Sequence, residues 1–276
     1  MPPRIAIFKD GVRIALGLGR SPRAKVLPWF FIGLLSFIAI IMALIIGAAE
    51  RMGGPEASAN LPSHLDYYGI ASILLFLFGA MVAPELLCRD RREGTINLYL
   101  VRPLTGTDYV AARWAAFMAV ITVAAWLPQL ILFLALLLDH PSPWGYLRDN
   151  WLDVPRFLAA GLALAAYTTT LAMLTASFTT RRALASVFLV GLFIITTPFT
   201  TGLAAEIGGT AGQWISMFNL TSIPLHVSDV IFGELSELTE ALPASTLPDS
   251  TKLLWFAAWT LIPGALLWWR YRRLTP

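Results

Sequence analysis

GIASILLFLFGAMVAPELLCRDRREGT, residues 69–95, changes character once. Up to Pro84 it is apolar and uncharged, and with the next few residues it reaches the roughly 20 residues of helix that cross a hydrocarbon core. Beyond Cys88 comes Arg89-Asp90-Arg91-Arg92-Glu93, a dense run of both signs. A membrane span that opens into a charged knot is the unit from which the rest of the chain can be read.

Composition extends this reading to the whole molecule. The 276 residues are 57% hydrophobic and 13% charged, with a mean hydropathy of +0.68, far from the makeup of a soluble domain. Runs of spanning length occur near 26–49, 69–88, 114–138, 157–178, 183–205 and 253–269. The fold class expected is an all-α membrane protein with six transmembrane helices. The single cysteine, Cys88, excludes an internal disulfide framework. The first run exceeds the ~7–15 residues of a signal-peptide core, so it is read as a retained anchor.

The loop charges orient the spans. With the N-terminus inside, sixteen of the 20 Lys and Arg residues face the cytosol, and twelve of the 17 acidic residues face the other side. The positive-inside rule therefore predicts two cytosolic termini. Ahead of the first span, Lys9, Asp10, Arg13 and Arg20 share one helical arc, while Ile5, Phe8, Val12 and Leu16 share another. Residues 1–25 are accordingly expected to form a helix lying in the cytosolic interface, against anionic headgroups.

Several mechanisms lack their residues. The central turns of the six runs contain no Asp, Glu, Lys, Arg or His, the groups that ion-coupled carriers and voltage sensors need there. His64, His140 and His226 fall in the expected outer loops, where they are read as solvated; axial haem ligation would need them inside spans. The lysines are Lys9, Lys25 and Lys252, and none follows the glycine-rich backbone that cradles a nucleotide phosphate. No catalytic residue, metal ligand or cofactor is expected, no nucleic-acid partner is indicated, and energy must come from another protein.

The segment 89–105 is where a partner could act. Gly94 can end the incoming helix and Thr95 can cap a new one. Two turns then fit before Pro103, with Ile96, Tyr99, Leu100 and Pro103 on one arc. Asp90 and Glu93, with the neighbouring arginines, would set orientation against a docked surface, as opposed charges do. A run that only retained the loop in the cytosol would account for the arginines but not for these acids.

Asp90, Glu93, Gly94-Thr95, the apolar stretch 96–100, Pro103 and the basic Arg113 at the start of the third span resemble the type-2 ATP-binding-cassette exporter permeases in order and position. Thr105-Gly106-Thr107 and Ala112-Arg113 depart from the pattern, which more often has a basic residue after the proline and Gly-Lys at the span. The resemblance implies a six-span permease domain, residues 26–276, in a multi-pass protein of the prokaryotic plasma membrane. It also implies a second permease subunit, membrane lipid around the pair, and a cytosolic ATPase subunit that binds the ATP. Asp90, Glu93, Gly94, Thr95, Ile96, Tyr99, Leu100 and Pro103 then become the expected ATPase-coupling residues. A non-transporting scaffold that uses the same helix to recruit a soluble partner is the alternative.

Two further expectations concern packing. Thr168, Thr169, Thr170, Thr175 and Ser177 in the fourth span, and the threonines of the fifth, are read mainly as hydrogen-bonding glue, while Gly161/Ala165 and Ala112/Ala116 offer small faces for close helix approach. The long outer connection 206–251 is expected to be a re-entrant or interfacial hairpin.

Overall fold

The computed structural model describes residues 3–19, 22–52, 62–92 and 105–273. Helices α1 (Pro3–Ala15), α2 (Pro22–Met52) and α3 (His64–Arg92) precede α4 (Gly106–Asp139), the short α5 (Pro143–Asp149) and α6 (Asp153–Ser177). The chain continues through α7 (Arg182–Ile207), α8 (Gly209–Ser216), α9 (Ile223–Phe232) and α10 (Glu237–Glu240), then a single 3-10 turn at Pro243–Thr246 and α11 (Asp249–Arg272). Six of these, α2, α3, α4, α6, α7 and α11, are long and apolar enough to cross a membrane. The chain is a multi-pass, all-helical membrane protein.

Each spanning helix begins or ends beyond the purely apolar run, for local reasons. At the start of α3, Ser63 Oγ accepts from the Asp66 amide at 3.2 Å while the Ser63 amide donates to Asp66 Oδ2 at 2.9 Å, a reciprocal cap that sets the first turn before the apolar stretch begins. Thr105 and Asp108 repeat this arrangement for α4. At the other end of α7, Gly208 takes φ +62°, a conformation that needs no Cβ and stops the helix.

Helix α6 is central: it packs against α3, α4, α7, α9 and α11. Its approach to α3 and α4 depends on small residues. A Cβ on Gly161 would lie 2.7 Å from Tyr68 Oη and 2.8 Å from Trp126 Cδ1. Those two side chains are fixed there because Tyr68 donates to the Phe157 carbonyl at 2.5 Å and Trp126 donates to the Leu158 carbonyl at 2.9 Å. The outer helices turn large apolar side chains outward, among them Leu44, Phe188, Ile195, Phe199, Leu254 and Leu261. Facing hydrocarbon, such side chains lose nothing by exposure.

The threonines mostly bond within their helices or to neighbours. Thr170 Oγ1 donates to the Ala166 carbonyl and accepts from Trp114 Nε1, and Thr197 bonds both Asn219 and Thr221. Thr168 and Thr169 depart from the expected role: their Oγ1 atoms are buried with no hydrogen-bond partner among the described residues.

The histidines are a correction. His64 and His226 are buried, with relative exposures of 8% and 0%. His64 is drawn in because α3 begins there rather than several residues later; its Nδ1 lies 2.6 Å from Gln129 Oε1, and Gln129 Nε2 donates to the His64 carbonyl at 2.8 Å. His226 lies in α9, where residues from Ile223 to Asp229 are all buried against α3, α6 and α11. The connection is thus internally helical, with a core-facing element that its interrupting polar residues concealed. Only His140 stays part-exposed.

Candidate functional site

Helix α1 and the last turns of α11 lie against the first turns of α4, and α3 and α4 present at that end of the bundle the two ends of the 93–104 segment. Glu93, Gly94, Thr95, Ile96, Tyr99, Leu100 and Pro103 lie outside the described residues. Asp90 is described, and it is the key to what carries the segment.

Asp90 sits in the last turn of α3, 6% exposed. Its Oδ2 accepts from Arg113 Nη2 at 2.7 Å and from the Tyr109 hydroxyl at 2.6 Å. Tyr109 and Arg113 are four residues apart on α4, so one helix face supplies both donors. The Arg113 side chain is fully buried, and the same Nη2 also reaches Asp10 Oδ2 of α1 at 2.9 Å. One guanidinium nitrogen, with a proton for each carboxylate, therefore joins three helices. The Arg113 carbon lies 5.7 Å from the centre of the Tyr109 ring, which stacks on Tyr271 of α11 at 6.0 Å.

Helix α1 lies alongside the first turns of α4. Arg4 pairs with Asp108 at 2.8 Å, and the buried arc is Ile7, Gly11 and Ala15, at four-residue spacing. The buried arc is rotated from the expected apolar one: Ile5 is 42% exposed, while Val12 and Leu16 still pack against the core, half-buried. Gly11 explains it, since a Cβ there would lie 2.7 Å from Ala116 Cβ and 3.5 Å from Arg113 Nη1. We expect Gly11→Ala to push α1 off α4 at a cost of about 1–3 kcal/mol. A drop in the apparent melting temperature of the detergent-solubilised chain, with earlier proteolysis of the N-terminal helix, would show it; unchanged values of both would contradict the packing.

A second cluster closes the neighbouring turn. The last carbonyls of a helix lack partners within it. Here Arg91 and Arg270 both donate to the Ser177 carbonyl, the latter at 3.0 Å, and Cys88 Sγ approaches the Ala176 and Thr179 carbonyls at 3.4 and 3.2 Å. Two cations at the negative end of α6 also complement its dipole. Arg270 packs over the Phe178 ring at 4.8 Å, and Glu85 of α3 pairs with Arg182 of α7.

Of the residues expected to set orientation against a docked partner, Asp90 and Arg91 thus bond inward. Burial is the physical reason: at 6% exposure Asp90 has little surface left for another protein, and its charge is stabilised by Arg113. The residues missed from the sequence are Asp10, Tyr109, Tyr271 and the Ser177 carbonyl. Only the Tyr109/Arg113 spacing and a cation within an apolar helix gave a local signal.

A family model described as "ABC-2 family transporter protein" matches residues 30–274. The chain belongs to that family. An ABC-2 chain of this kind is the membrane-spanning permease subunit of an ABC transporter and partners with a separate ATPase subunit. No curated protein matches the sequence. The match begins within α2, so α1 and the Asp10 arm of the clasp lie ahead of the matched region, whereas Asp90, Tyr109 and Arg113 lie inside it.

Proposed function

We propose that this ABC-2 chain is an export permease of a prokaryotic plasma membrane. Two copies, or one copy and a related subunit, form the pathway, and cytosolic ATPases drive it through residues 89–105. The observation that carries this reading is the Asp90–Arg113 clasp immediately beside that segment. It fixes the ends of α3 and α4 to each other and to α1, so a push on the intervening residues cannot be absorbed by splaying the two helices apart. Asp90 acts here as a positioning residue. Glu93, Ile96, Tyr99 and Leu100 are the residues proposed to meet the ATPase, with Gly94, Thr95 and Pro103 shaping the short helix that presents them. ATP binds to the partner, and motion rather than side-chain chemistry moves the cargo.

The test is co-purification with the ABC ATPase subunit that partners this chain, followed by reconstitution. Glu93→Ala and Tyr99→Ala should leave assembly and melting temperature intact while lowering permease-stimulated ATP hydrolysis about tenfold or more, the scale expected when an interface anchor is truncated. Full stimulation in both variants would remove the coupling role. A complex that binds the ATPase but shows no nucleotide-dependent cargo movement with any tested amphiphile or peptide would favour a scaffold.

A further inference from the structure

Two cavities follow one another along the seam between α3 and α7. The one at the termini end has a volume of about 970 Å³. Its walls are apolar where α1, α2 and α3 supply Ile14, Leu27, Met81 and Val82, and its rim is basic where Arg92, Arg181 and Arg182 gather around the single carboxylate of Glu85. Glu85 pairs with Arg182, and among the described lining residues three cations stand against one carboxylate. The first turn of α7 opens there too, with Arg181 at the N-cap and no side chain capping its amides. Free amides and arginines are complementary to phosphate or carboxylate oxygens.

About one helical turn further along both helices, from Met81 to Leu77 on α3 and from Ser186 to Val190 on α7, a second cavity of about 330 Å³ begins. It is walled by Phe76, Leu77, Val190 and Phe193, with threonines only at its far edge. The Phe76 and Phe193 rings stack at 4.3 Å and face each other across the two helices. From Glu85 to Ile73 the seam runs twelve residues, about 18 Å at 1.5 Å per residue. One leaflet of the hydrocarbon core, half of about 30 Å or about 15 Å, is of comparable length.

A cavity with a cationic rim, followed one helical turn further along by an apolar one, has the polarity profile of a single kind of molecule. We propose that the α3/α7 seam binds an amphiphile with a phosphate or carboxylate head. The head lies among Arg92, Arg181 and the first amides of α7, and an alkyl chain is directed toward Phe76 and Phe193. Two sources share this chemistry: a membrane lipid held as a structural component, and an exported cargo entering from the leaflet. Binding does not depend on the coupling mechanism; only the second source rests on the exporter reading.

The experiment uses the full chain in phosphatidylcholine nanodiscs with phosphatidylglycerol as the minor component. The probe is phosphatidic acid carrying a diazirine on its acyl chain, with the matching phosphatidylcholine as control. Labelling should fall on peptides of α3 and α7 around Phe76 and Phe193, and the zwitterionic probe should label about tenfold less. Arg181→Glu should cost a similar factor, with recovery in Arg181→Lys; Arg181 is exposed, so its replacement leaves the fold intact. Val190→Trp should abolish chain labelling by filling the cleft, as a check independent of charge. Equal labelling by both probes, or wild-type labelling in Arg181→Glu, would overturn the site. In complex with the ATPase, loss of bound probe during ATP turnover identifies cargo and retention identifies a resident lipid; either outcome supports the site. If labelling holds while the Glu93 and Tyr99 variants stay fully coupled, the coupling reading falls and this site stands.

Discussion

Arg113→Met lowers the stability of the solubilised permease by about 3–5 kcal/mol, the cost of stranding a buried charge when one partner of an ion pair is removed. Asp90 stays at 6% exposure but loses the Arg113 guanidinium that balances its charge, and Asp10 loses its tie to α4. The three positions should differ sharply. Asp10→Asn should cost no more than about 1 kcal/mol, because the Asp10 side chain is 47% exposed and water takes over its solvation. The triple variant Asp90→Leu, Tyr109→Phe, Arg113→Met removes every member of the buried network and should regain much of the loss, since an apolar replacement leaves no orphaned charge. Melting curves of the four proteins in one detergent decide it. Equal destabilisation by Arg113→Met and the triple variant would show that shape, not charge pairing, holds the helices together.

Gly161→Leu should do comparable damage through sterics alone. The added Cβ would meet Tyr68 Oη and Trp126 Cδ1 below 3.0 Å, and neither can retreat without breaking its bond to the Phe157 or Leu158 carbonyl. Overpacking costs about 1–3 kcal/mol, and each bond broken in a buried place adds about 1–3 more. Tyr68→Phe with Gly161→Ala should recover part of it, because one obstructing oxygen is then absent. A Gly161→Leu protein that melts with the wild type would mean that α6 can shift freely against α3 and α4.

The six spans could be read from sequence because a run of some 20 apolar residues is a one-dimensional property, and hydrocarbon thickness sets its length. Their ends were less legible. The helix of the second span runs on to Arg92 because Asp90 and Arg91 find partners on α4 and α6, which no local rule reveals. The clasp was hidden for the same reason: Asp10, Asp90 and Arg113 are far apart in the chain and meet only once three helices have packed. His226 was misplaced because Asn219, Ser222 and Asp229 give its surroundings a polar look, yet α9 folds its length against the bundle. The Gly161 contact was foreseen in kind, as a small residue at a helix crossing, but the aromatic partners that make it tight were not.

The ties between α3 and α4 occur at both of their ends. At one, Asp90 holds Arg113 and Tyr109; at the other, Gln129 brackets His64 with two hydrogen bonds. With α4 alone 34 residues long, about 51 Å, the pair forms a cross-braced beam, not two independent rods. A force applied between residues 92 and 105 then bears on both helices at once and, through the Arg91 bond to the Ser177 carbonyl, on α6 as well. Strain entered at that end is shared by three spans before it reaches His64.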